Sequence, residues 1–142
     1  MATNIKIKNL PIGYQSVITN GRHSIVGDEP VKSNGTDLGF SPEDLILSAL
    51  ASCKVATIRY IARKKQWEIG NVNAALSQTV KRGESGQLST HVKITVDIEG
   101  ELTDEQRNTL LHEADNCYVH RMLMGEWTIE PAEVATSVAE LV

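Results

Sequence analysis

From Leu88 to Ile98 apolar and polar residues take turns, with Val92, Ile94, Val96 and Ile98 on one side. That period of two predicts a strand with one face buried and the other wet. "NVNAALSQTVKR" before it reads as a second long strand, and the Gly83–Gly86 segment as the turn joining the two. Shorter alternations stand near the N-terminus: Ile5 and Ile7, then Tyr14 leading to Val17 and Ile18. Asn20-Gly21 follows, a pair that tolerates the positive φ of tight primed turns, so "RHSIV" is expected to return as a hairpin partner opened by Arg22. Asp28 to Gly39 has no periodicity and is rich in Gly, Asn, Asp and Pro. It predicts a long connecting loop, of a kind that is usually functional or covered.

The pattern changes at Ser41. Ser41 can cap a helix, Pro42 suits its first position, and Glu43 and Asp44 favour its positive end. The apolar residues that follow, among them Leu45, Ile46, Leu50, Val55, Ile58 and Ile61, surround the axis and predict a helix buried on most sides. Arg63, Lys64 and Lys65 suit its C-terminal end, placing the stop before Trp67. A second helix is expected in "LTDEQRNTLLHEAD", with Thr103 and Gln106 at capping-box spacing and Leu110, Leu111 and Ala114 at helical spacing. Cys117 comes next, then "YVHRML" as a short helical turn, Gly125 as a breaker and "EWTIE" as a last strand. The order gives an α+β fold with antiparallel sheets around a long buried central helix, in one domain over residues 1–142. One sheet has trouble hiding a helix that is apolar all round, and a homodimer whose two helices share a core is the natural solution.

Charge and composition narrow the function classes. The formal charge of −4, from 14 Lys+Arg against 18 Asp+Glu, is spread without a basic stripe, so neither nucleic acid nor anionic membrane is expected as a partner. The alternating N-terminus lacks the apolar run of a signal peptide, and no later segment is expected to reach a membrane span of about 18 apolar residues. The expected location is the cytoplasm. In that reducing setting the two cysteines, Cys53 and Cys117, suggest free, catalytic or redox-cycling thiols, not a structural staple.

Taken singly, the chemistry-bearing residues have plain readings. Cys53 lies among Leu, Ala and Val and packs as a small hydrophobe. Cys117 follows a helix end, where access is easier. Arg22 reads as a solvated strand residue and Glu43 as a helix N-terminal acid. His112, Cys117 and His120 match no zinc spacing and lack a fourth ligand, so no metal and no bound cofactor is expected.

Together, "TNGRHSIVGDEP", "NGTDLGFSPEDLILSALASC" with Glu43 ten residues before Cys53, and "ADNCYVHRML" around Cys117 resemble the OsmC/Ohr family of osmotically inducible and organic-hydroperoxide-resistance proteins. The wording is similar to the general OsmC-like branch. The resemblance implies an intertwined homodimer with two central helices packed between sheets, and a thiol peroxidase acting on organic hydroperoxides. By position it makes Cys53 the peroxidatic cysteine, Cys117 the resolving cysteine, and Arg22 with Glu43 the pair that activates the thiol. An external thiol reductant, a dithiol, would reset the cycle. A non-catalytic OsmC-like stress protein holding a small apolar ligand is the alternative. Tyr118 stands where relatives often carry proline, and Phe40 where they often carry a small residue or proline. Glu43 and Cys53 on one helix are separated by roughly 15 Å of rise, which favours a site composed across the dimer interface.

Overall fold

In a computed structural model the described residues are 2–141. Their contacts divide the chain into two compact units, Met1–Ile46 with Thr128–Val142, and Leu47–Trp127.

The first unit contains a three-stranded antiparallel sheet, β1 (Lys6–Asn9), β2 (Ser16–Thr19) and β3 (Ser24–Gly27), with β2 in the middle. The β2–β3 connection is wider than a two-residue primed turn. Thr19 pairs with Ser24, so Asn20 to His23 all lie in the loop, and Arg22 does not open the strand. The Asn20 carboxamide oxygen accepts the backbone N–H groups of Arg22 (3.0 Å) and His23 (2.8 Å), and this local satisfaction holds the wider loop. The segment after β3 is tied down by the buried Asp28. Its carboxylate accepts the Thr36 hydroxyl at 2.5 Å and the backbone N–H groups of Glu29 and Leu38 at 2.7 and 3.1 Å. These bonds, the Thr36 hydroxyl first, hold the Asp28 carboxyl at about 2, below its usual 3.8.

Helix α1 (Pro42–Lys64) starts where the capping signals put it. Ser41 Oγ accepts the Asp44 N–H at 3.2 Å, and Asp44 returns a carboxylate to the Ser41 N–H at 2.9 Å. Two expectations for this helix are corrected. Only Leu50, Lys54, Ile58 and Ala62 are buried, a single stripe of spacing four, while Ile46 and Tyr60 are exposed; apolar character around the axis does not bring burial around it within one chain. The helix is also long and apolar enough to cross a membrane by length and composition, with mean hydropathy 1.5, because Lys54 and Arg59 are the only charges between Leu45 and Ala62. The core helix of a water-soluble protein satisfies the same measure.

In the second unit β4 (Val72–Arg82) and β5 (Leu88–Ile98) pair antiparallel along their whole length, in the register Val72↔Ile98 to Arg82↔Leu88. Helix α2 (Asp104–Asp115) has a full capping box between Thr103 and Gln106. Ile58 and Ala62 of α1, Ile98 of β5, and Leu110 and Ala114 of α2 form one buried cluster, flanked by Trp67, Ile69 and Leu102. The side chain of Arg107 bonds the carbonyls of Ile98 and Gly100, clamping α2 to the end of β5. A short helix α3 (Tyr118–Met124) ends at Gly125. The segment "EWTIE" is not a strand: residues 126–130 pair with no β-strand among the described residues, since alternation alone supplies no hydrogen-bonding partner.

Candidate functional site

Where α1 meets the end of α2 within the second unit, both cysteines come together. Cys53 is the twelfth residue of α1, one position before Lys54 of the buried stripe, and is half-buried. Cys117 is reached by a tight exit from α2, in which Asn116 N–H bonds the Glu113 carbonyl and Cys117 N–H the Ala114 carbonyl at 3.3 Å. Cys117 then turns extended (φ −66, ψ 156) and becomes the N-cap residue of α3, only 2 % exposed. Both cysteines are free thiols.

The backbone at the start of α3 faces the sulfurs. Val119 N–H donates to Cys53 Sγ at 3.4 Å, and the His120 N–H lies near enough to the Cys117 sulfur to act on its charge without forming a cap hydrogen bond. The Cys117 thiol also has Cys53 as its side-chain hydrogen-bond partner. Burial pushes the Cys117 thiol above its ordinary value, and the bond to Cys53 adds to the rise; the His120 N–H and the charge of Lys54 act in the opposite direction. A thiol seated this way is a poor nucleophile until a partner stabilises its anion.

Lys54 is the residue sequence reasoning missed. It is 1 % exposed, next to Cys53 in the chain, and its Nζ donates to the Ala114 carbonyl and is hydrogen-bonded with His120 Nδ1, both at 3.0 Å. The signal was its place in the stripe Leu50–Lys54–Ile58–Ala62, which any helical reading assigns to one face. His120, weighed from spacing as a metal ligand, instead engages Lys54. Among the described residues no group of three or more His, Cys, Asp and Glu is arranged to hold a metal ion.

Arg22 and Glu43, the expected activating pair, belong to the first unit. Arg22 is exposed in the β2–β3 loop, and Glu43 is exposed in the first turn of α1. The second unit thus brings together Cys53 and Cys117, and adds Lys54 and His120 to them.

The sequence matches the family described as "OsmC-like protein" over residues 35–132. Among solved structures, the chain is similar to a protein of Psychrobacter arcticus named for osmotic stress induction and detoxification response, at 25 % identity and a TM-score of 0.73, covering 86 % of this chain and 88 % of that one. It is also similar to the organic hydroperoxide resistance protein OsmC of Legionella pneumophila (18 % identity, TM-score 0.68, 88 % and 90 % covered). The organic hydroperoxide resistance protein OhrB of Bacillus subtilis shares the fold at 17 % identity (TM-score 0.65, 88 % and 92 % covered). A search of curated proteins gives no match.

Proposed function

Because the chain belongs to the OsmC-like protein family, we propose that it is a thiol-dependent peroxidase that reduces organic hydroperoxides to alcohols, with Cys53 as the attacking thiol and Cys117 as the resolving one. The observation that carries this reading is the meeting of two free thiols, one half-buried and one almost fully buried, at the start of α3. Exposure supports that order. An oxidant entering from solvent meets Cys53, whereas Cys117 is accessible chiefly to its neighbour. The names of the Legionella and Bacillus relatives support the same substrate class.

The steps balance as follows. The Cys53 thiolate attacks the outer peroxide oxygen, the O–O bond breaks, and the leaving alkoxide takes a proton to become the alcohol; Cys53 is left as a sulfenic acid. The Val119 N–H stabilises negative charge on the sulfur before that attack. Cys117 then attacks the Cys53 sulfur, the S–O bond breaks, and hydroxide leaves with a proton as water, giving an internal disulfide. An external dithiol reduces it by exchange. Arg22 and Glu43 are assigned the activation of the thiol by family position, since a guanidinium held by a carboxylate offers fixed donors to a thiolate and to peroxide oxygens. The working form is a homodimer in a reducing, cytoplasmic setting, with no bound cofactor.

One equivalent of an organic hydroperoxide should remove both free thiols and leave an internal disulfide, read by thiol titration and intact mass. Unchanged thiol counts would refute the peroxidase reading.

A further inference from the structure

We propose that Lys54 is the buried counter-cation of the Cys117 thiolate, held in place by the Ala114 carbonyl and His120, and that it enables the resolving step at neutral pH. The inference rests on the peroxidase reading for its consequence, but its physical content can be measured without turnover.

The grounds are geometric. An ammonium withdrawn from water is costly unless hydrogen-bonded and neutralised. Lys54 is 1 % exposed, and two of its three N–H groups go to the Ala114 carbonyl and His120 Nδ1. A lysine ammonium only donates, so beside a charged Lys54 the His120 Nδ1 is the acceptor, and an imidazole brings no negative charge. The Ala114 carbonyl is neutral too. Among the described residues no carboxylate lies within ion-pair distance of Lys54. Of the two thiols beside it, Cys117 is the one tied to the same acceptor, its own N–H bonding the Ala114 carbonyl at 3.3 Å where Lys54 Nζ bonds it at 3.0 Å. The titratable groups acting on Cys117 are Cys53 and Lys54 from α1, with His120 contributing its backbone N–H from α3. Cys53 disfavours a charge on Cys117, and Lys54 favours it.

This arrangement answers a difficulty in the resolving step. Cys117 must lose its proton in a site where burial opposes the anion. Lys54 stabilises that anion without entering the product: the Cys117 proton leaves, the S–S bond forms, the S–O bond breaks, and water departs. His120 acts through Lys54, as a positioning residue that aims the ammonium.

The test compares Lys54→Met, which removes charge and donors, with Lys54→Gln, which keeps donors and removes charge. In a Cys53→Ser background, ultraviolet thiolate absorbance against pH reports Cys117 alone. Loss of a nearby opposite charge should raise the midpoint by about 1–3 pH units in both variants. In the two-cysteine protein each unit of rise removes tenfold of the thiolate and recovers part through higher nucleophilicity, so disulfide closure after one equivalent of hydroperoxide should slow by about 3- to 30-fold. Sulfenic acid at Cys53, trapped with dimedone, should persist correspondingly longer. Should Lys54→Met not fold, Lys54→Gln decides alone. A midpoint that stays at its Cys53→Ser position would overturn the proposal. A raised midpoint in a protein that consumes no hydroperoxide would uphold Lys54 as counter-cation and overturn the peroxidase reading instead.

Discussion

Replacing Cys117 with serine separates chemistry from stability. The residue is the N-cap of α3 and makes no side-chain cap hydrogen bond, although the His120 N–H acts on its sulfur. Serine is a better cap than most residues, worth about 0.5–2 kcal/mol at such a position. Against this, a serine whose oxygen caps still has its O–H to place, and a polar hydrogen without an acceptor in a site 2 % exposed costs about 1–3 kcal/mol. The two terms nearly cancel, so Cys117→Ser should shift the folding free energy by no more than about 1–2 kcal/mol, or several degrees in Tm. The chemistry should change far more. One equivalent of hydroperoxide should remove one thiol per chain and leave a species one oxygen heavier, trappable as a sulfenic acid, where the wild type gives an internal disulfide. The wild-type closure rate should rise with pH, because burial holds the Cys117 thiol above its ordinary value and each increment of pH frees more thiolate. The variant should lack that limb. Wild-type turnover by a folded Cys117→Ser protein would remove Cys117 from the mechanism.

Leu110→Ala should cost about 2.7–5 kcal/mol, since Leu110 is 0 % exposed in the cluster with Ile58 and Ile98; a urea midpoint that moves by a trivial amount would contradict the core described above. Asp28 is held at about 2 against a usual 3.8, so its contribution to stability is present above pH 3.8 and lost as pH falls toward 2; amide exchange at Thr36 and Leu38 should accelerate across that window, and flat exchange would exclude the anchor. Arg22→Ala, placed in a Cys117→Ser background, should raise the Cys53 thiolate midpoint, and a titration that does not move would exclude Arg22 as the activator. Sedimentation should find a homodimer, and a monomeric variant of normal fold with full activity would rule out a site shared between subunits.

The fold was legible where a local signal and a tertiary one agree. The Ser41–Pro42 start of α1, the Thr103–Gln106 box of α2 and the alternation of β5 each appear in the structure where the pattern puts them. Failures came where a local pattern needs a remote partner. "EWTIE" has the composition of a strand, yet a strand exists only through its ladder, and residues 126–130 have none among the described residues. The Asn20-Gly21 pair marked a hairpin correctly, but the Asn20 side chain takes the N–H groups of Arg22 and His23, so Asn20 and His23 keep one backbone bond across the turn and the full ladder begins at Thr19 and Ser24. The apolar girth of α1 announced a central helix without saying what would cover each side.

The site was half legible for a related reason. Two cysteines can be read from a sequence, and their meeting follows from family order, but the environment that decides their reactivity is made by atoms the sequence does not advertise. Two of these are backbone N–H groups, at Val119 and His120, whose direction depends on how the chain leaves α2. The third is Lys54, a polar interruption in an apolar helix that reads as a solvated residue. Its spacing of four from Leu50 and Ile58 contradicts that reading, since the same periodicity that buries those two must bury a residue between them. A lysine on a core-facing stripe cannot remain a surface charge. It has to find hydrogen-bond partners, which it does at Ala114 and His120, and its charge then acts on what lies beside it. In this chain that neighbour is Cys117, so the residue that most disturbs the helix pattern is also the one placed to change the chemistry of the buried thiol.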